Sequence, residues 1–392
     1  MNTMEKNARQ IVAQLISTGG ATLPELAEEL GVSIGTVTKE IATLQQEGLV
    51  HDSGKIDTAS GRKPRRYTLN PEAGCYASVD LNDKYVSLGL MDMSGKMIRQ
   101  RTNVAYKLEN TSKALRTLCD IVLEYKRRIP QYTDNIRRFC VNIPGRINMK
   151  TGYSQTNFNF TDRPLTEIFS ESFGFPACIC NDTMAMAYAE YLTACEKDQQ
   201  NVIFINVNWG LGSGLILGGR PYFGKSGYSG EFGHIHIYEN EILCRCGKKG
   251  CLETEVSGQA LRRKLTERIR RGESSILSTR VLESEIPLSL EEITDAVRRE
   301  DMLCIDAIED IGAQLGIQVA SLINIFNPDL VVIGGELAMT GDYLLQPLKT
   351  TVIKHVLNHV REDTVIRLSR LGDDAGLIGG CLMARSIDFG IW

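Results

Sequence analysis

The chain has 392 residues, 43% hydrophobic and 23% charged, with a formal net charge of -4, as expected of a soluble protein of two or three domains. This balance argues against a protein coated in nucleic acid but leaves room for one local DNA-binding face. No signal-type apolar segment and no apolar run of membrane-spanning length is present, and the eleven cysteines fit a reducing cytoplasm with most thiols buried.

Residues 1–72 read as a winged helix-turn-helix. Ile11, Val12, Leu15 and Ile16 share one face of a first helix that stops at Gly19-Gly20. Thr22 and Glu25 form a capping box for a second helix, with Leu23, Leu26, Ala27 and Leu30 apolar and Gly31 ending it. Ser33 caps a third helix whose buried stripe is Val37, Ile41 and Leu44. Such a third helix enters the major groove by its N-terminal part, which presents Ser33, Thr36, Thr38 and Lys39 to bases and phosphates. A two-stranded wing follows, with Arg62, Lys63, Arg65 and Arg66 concentrated on it. Pro64 holds its tip extended, suited to a DNA backbone or minor groove. A winged helix used for protein contact is the competing reading.

The body, residues 73–392, reads as two α/β lobes with a cleft between them, about 73–195 plus 370–392 and about 196–369. Strands are predicted at 76–81, 86–92, 96–104, 139–143, 178–180, 202–206, 214–217 and 330–333. Helices are predicted at 183–194, 301–326 and 376–385. No short internal repeat is visible.

Within residues 231–253, His234, Cys244, Cys246 and Cys251 supply one imidazole and three thiols, the donor set of a closed structural Zn2+ site. Gly247 and Gly250 let the backbone turn tightly enough for Cys246 and Cys251 to converge. Buried free cysteines or a disulfide are the bland alternatives; thiols at this spacing in a reducing compartment more often hold metal.

This pattern resembles the zinc motif of the ROK family (repressors, open reading frames and kinases), and the resemblance runs over essentially the whole chain. It implies an actin-like ATPase fold for the body behind the winged head. Asn181-Asp182, Glu231-Phe-Gly-His234 and Cys251-Leu-Glu253 match family landmarks. By that resemblance Asn181, Asp182, Glu231, His234 and Glu253 are sugar ligands, and Asn157 is similar to the asparagine of the loop that closes over the sugar. His234 would offer one ring nitrogen to zinc and the other to the sugar; a purely structural ligand is its plainer role. Asp182 would be the general base if kinase activity remained; a helix N-cap is its plainer role.

The nucleotide side departs from the family. Asp80-Leu81-Asn82-Asp83-Lys84 stands where kinases carry a glycine-rich phosphate turn, and Asp83 adds a negative charge there. Gly210 and Gly212, with Leu211 between them in place of threonine, and Gly334 and Gly335 read as vestigial nucleotide loops. Met184 replaces a second asparagine that is frequent in the family. The expectation is therefore a cytoplasmic sugar-responsive repressor, with a degenerate kinase body as its sensor. Its partners would be double-stranded, pseudo-palindromic operator DNA and a sugar or sugar-phosphate effector. A homodimer or dimer of dimers is expected, with no membrane partner. An ATP-dependent sugar kinase carrying a DNA-binding head is the alternative.

Overall fold

The computed structural model describes residues 4–55 and 64–392; the predicted contacts Arg62 and Lys63 lie outside the described residues. Three helices open the chain: α1 (Lys6–Thr18), α2 (Leu23–Leu30) and α3 (Ile34–Gln46). Gly19 ends α1 and Gly31 ends α2, both at left-handed φ. The capping box forms as expected: Glu25 N–H donates to the Thr22 hydroxyl and Thr22 N–H to the Glu25 carboxylate. Ser33 accepts from Thr36 N–H at 3.1 Å and starts α3. Ile11, Val12, Leu26, Val37, Ile41 and Leu44 are buried between the helices, each contributing about 1.5–3 kcal/mol by leaving water. A three-stranded sheet completes the head: β1 (Ala21–Thr22), β2 (Val50–Lys55) and β3 (Arg65–Leu69), with β3 in the middle.

The chain divides into one compact unit of Met1–Ala185 with Gly376–Trp392 and a second of Met186–Ala375. The head thus belongs to the first unit. One boundary falls inside the helix Asp182–Ala194 and the other at the start of Ala375–Phe389.

In the first unit, strands Cys75–Leu81, Tyr85–Asp92 and Met97–Ala105 form an antiparallel meander, joined by Ile136–Ile143 and Ala177–Asn181, which run parallel to the first strand. In the second, Val202–Val207, Leu211–Leu217 and Arg220–Pro221 form the meander, joined by the parallel strands Leu330–Gly334 and Val365–Leu368. Numbered in order of appearance within each unit, both sheets read 3-2-1-4-5. The fold is therefore duplicated, although no repeat shows in the residues. Central strands are largely apolar and buried: all six residues of Val202–Val207 are buried, Asn206 being the polar one. Among the described residues no helix is long and apolar enough to cross a membrane.

Candidate functional site

On the head, Ser33, Thr38 and Lys39 are exposed and Thr36 is half-buried. The Ser33 and Thr36 hydroxyls are hydrogen-bonded to each other at 2.9 Å, and Thr38 donates to Ile34 C=O at 2.7 Å. Ile34, which the sequence reading passed over, is 52% exposed at the start of α3, where an apolar side chain can meet a thymine methyl. Its signal was an apolar residue off the buried stripe of α3. Arg65 pairs with Asp52 across the wing. Arg66 lies back on α1, its guanidinium 3.4 Å from Thr18 C=O.

In the first unit, Asn181 ends a strand and Asp182 begins a helix, so both leave the sheet at the same edge. Asn181 is the helix cap: its Oδ1 accepts from Met184 N–H at 2.9 Å. Asn181 Nδ2 donates to Gly145 C=O and to Asp182 Oδ1, both at 2.9 Å. Asn157 Nδ2 donates to Pro144 C=O at 2.9 Å. The two asparagines thus hold consecutive carbonyls of one loop, which gathers Asn157, Asn181 and Asp182. Asp80 is also close. Its carboxyl is pushed up to about 7, chiefly by burial; the Asn142 hydrogen bond opposes this and the Asp182 charge adds to it. Asn142, fully buried and unnoticed in the sequence, donates to Asp80 Oδ1 at 3.0 Å and to Gly376 C=O at 2.7 Å.

In the second unit, the predicted ligand set assembles. The His234 ring and the sulfurs of Cys244, Cys246 and Cys251 each offer an atom, all within 4.8 Å of one another. Cys244 Sγ is 3.5 Å from His234 Nδ1, and Cys246 Sγ is 3.6 Å from Cys251 Sγ. A tetrahedral zinc ion with ordinary bond lengths would set its ligand atoms ~3.5–3.8 Å apart; the residues fit that ion. The other ring nitrogen, Nε2, lies 3.7 Å from Glu231 Oε2, so the imidazole has one face for the cluster and one for the Glu231 side.

Glu253 is held on several sides. It is buried, takes Leu211 N–H at 2.9 Å, lies 3.6 Å from Cys244 Sγ and pairs with Arg245 at 3.4 Å. It therefore ties the cysteine cluster to the hairpin after Val202–Val207. A Cβ at Gly210 would stand 2.6 Å from its carboxylate and 2.7 Å from the Arg245 guanidinium. Gly335 has φ +91, and a Cβ there would stand 2.6 Å from Val207 C=O; this glycine too has a local steric reason.

The first hairpin is closed by its own side chain. Asn82 Oδ1 accepts from Lys84 N–H at 2.9 Å and Tyr85 N–H at 2.8 Å. Those backbone donors are occupied, and exposed Asp83 stands beside them.

Comparison with known proteins bears on both parts. The pattern of the ROK family matches residues 76–387, and that of winged helix-turn-helix DNA-binding domains matches residues 4–51. A putative xylose repressor of a Caldicellulosiruptor species is 30% identical over 97% of this chain and 92% of its own length. A glucokinase of Halalkalibacterium halodurans is 27% identical over 78% of this chain and 93% of its own. A crystal structure of a ROK family transcriptional regulator, homologous to the E. coli MLC protein, superposes with TM-score 0.81 at 27% identity, covering 98% of each chain.

Proposed function

This chain belongs to the ROK family, and from that membership we propose that it is a sugar-responsive DNA-binding repressor whose kinase-like body serves as sensor. Similarity to a xylose repressor along nearly the full length, head included, supports the regulator. The observation that carries the sensor over the kinase is the first hairpin. Its amides are taken by Asn82, whereas the Asn181-Asp182 pair remains assembled, with Asn181 capping the helix. Asn157, Asn181, Asp182, Glu231 and His234 are the proposed sugar ligands; carboxylates and amides can bind vicinal hydroxyls in pairs. Glu253 is proposed as a further sugar ligand, one that also ties Leu211 to the cysteine cluster. His234, Cys244, Cys246 and Cys251 hold structural zinc, which fixes the imidazole that faces Glu231. The protein is proposed to act in the cytoplasm as a dimer or dimer of dimers on a two-fold operator.

The kinase reading retains one favouring observation, a carboxylate at Asp182 in the place of a general base. Replacing Asn82 and Asp83 together by glycine separates the two readings. It removes an Asx turn and a charge, and Mg-ATP affinity should rise by about tenfold in a calorimetric titration. Tight Mg-ATP binding by the unaltered protein, with turnover on a sugar, would establish the kinase instead.

The wing is tested by Arg62→Ala combined with Arg65→Ala. Operator binding should weaken for all duplex sequences, and the slope of log K against log salt should fall by about 2. An unchanged slope would assign the head to protein contact.

A further inference from the structure

The last helix, Ala375–Phe389, links two sets of buried polar contacts within the first unit. Near its start, Asn142 Nδ2 bridges Asp80 Oδ1 and Gly376 C=O. A Cβ at Gly376 would stand 2.5 Å from the Asp80 carboxylate, and one at Gly379 would stand 2.0 Å from Ala185 C=O. The helix therefore lies directly against Asp80 and against the backbone of the helix that Asp182 begins.

Twelve residues on, about 18 Å along the axis, Asp388 is almost buried. It accepts from Tyr76 Oη at 3.1 Å and Arg137 Nε at 2.7 Å, with Arg138 at 3.8 Å. Tyr76 lies two residues past Gly74, where a Cβ would stand 2.5 Å from the Arg137 side chain. Asn70, four residues before Gly74, is fastened to the head by bonds to Gly48 C=O and Leu49 C=O. The turn after the helix also reaches the head: a Cβ at Gly390 would stand 3.7 Å from the Arg9 guanidinium of α1.

We propose that the helix Ala375–Phe389 is the rod that carries effector occupancy to the DNA-reading head, with Asp388 and Tyr76 as its positioning residues at the far end. The proposal rests on the sensor reading above, with the sugar at Asn181 and Asp182. Close-packed contacts at both ends leave no slack, so a shift at Gly376 is felt at the linker to the head. The effector still has to favour one position of the rod to change DNA affinity.

The test uses the full-length protein, a duplex selected by the wild type from a randomised pool, and a fixed probe set. The probes are D-xylose, D-glucose, N-acetyl-D-glucosamine and the 6-phosphates of the last two. Three quantities are measured: sugar affinity alone, duplex affinity alone, and the ratio of duplex Kd with and without sugar. In Tyr76→Phe and Asp388→Asn the two separate affinities should stay within about threefold of wild type. The ratio, tenfold or more in the wild type, should fall below about threefold. Tyr76→Phe loses only the hydroxyl's contacts to Asp388 and Met93 Sδ and keeps its packing, so it reports even where Asp388→Asn, which strands two arginines, fails to fold. Ratios at the wild-type value in a folded variant overturn the rod. A wild-type ratio of one for every probe overturns the sensor reading, and the rod with it.

Discussion

Asp182→Ala is expected to abolish the sugar response while leaving operator binding intact. A sugar bound by a carboxylate makes charge-assisted hydrogen bonds, each contributing about 1.5–3 kcal/mol. Losing two of them raises the sugar Kd by roughly 10²-fold or more. The substitution should not unfold the helix it begins, because Asn181 supplies the cap. The carboxylate's interaction with the first turn, about 0.3–1 kcal/mol, and its hydrogen bond from Asn181 Nδ2 are lost, the latter about 1.5–3 kcal/mol at most. Binding loss therefore dominates over stability loss. Thermal melting would show a near wild-type midpoint without sugar and no upward shift with it. A retained shift would place the ligand elsewhere.

Cys246→Ser is expected to release the metal and loosen the second unit. Cys246 lies 3.6 Å from Cys251, and removing one thiolate leaves three ligands for an ion that structural sites hold with four. Metal content, measured by atomic absorption after dialysis, should fall from near one per chain to near zero. Loss of a structural metal is among the changes that cost several kcal/mol. A loss of about 3 kcal/mol in a unit of this size lowers the melting midpoint by roughly 6–12 °C. The effect should extend to the sugar side, since the freed His234 ring no longer has a fixed orientation toward Glu231. Unchanged metal content would sink the zinc assignment.

What the sequence disclosed follows from how local each feature is. The Thr22-Glu25 capping box, the Ser33 cap and the left-handed Gly19 and Gly31 are set within a few residues, and they form as read. The cysteine cluster was legible because its four donors lie within eighteen positions and two glycines bring them together. Asn181 and Asp182 show the limit of local reading. Either residue can cap a helix, and the backbone path alone decides that Asn181 does.

Contacts between distant residues were not legible. Glu253 meets Leu211 from 42 positions away, a contact that no local pattern announces. Asn142 reaches Asp80 and Gly376 across 62 and 234 positions. The duplicated strand order was hidden for a related reason. Sheet order depends on which strands pair, and different apolar residues satisfy the same pairing. The missing glycines at Asn82-Asp83 were legible in the sequence, whereas the turn they leave, closed by Asn82 Oδ1 on two backbone amides, was not.

The most direct test of the whole account is the anisotropy of a labelled, wild-type-selected duplex, titrated with the zinc-loaded protein in the presence and absence of each sugar and of Mg-ATP. The account predicts that one sugar class changes the duplex Kd by tenfold or more and that Mg-ATP changes it not at all. Duplex binding indifferent to every sugar, with sugar phosphate and ADP accumulating when Mg-ATP is added, would contradict it.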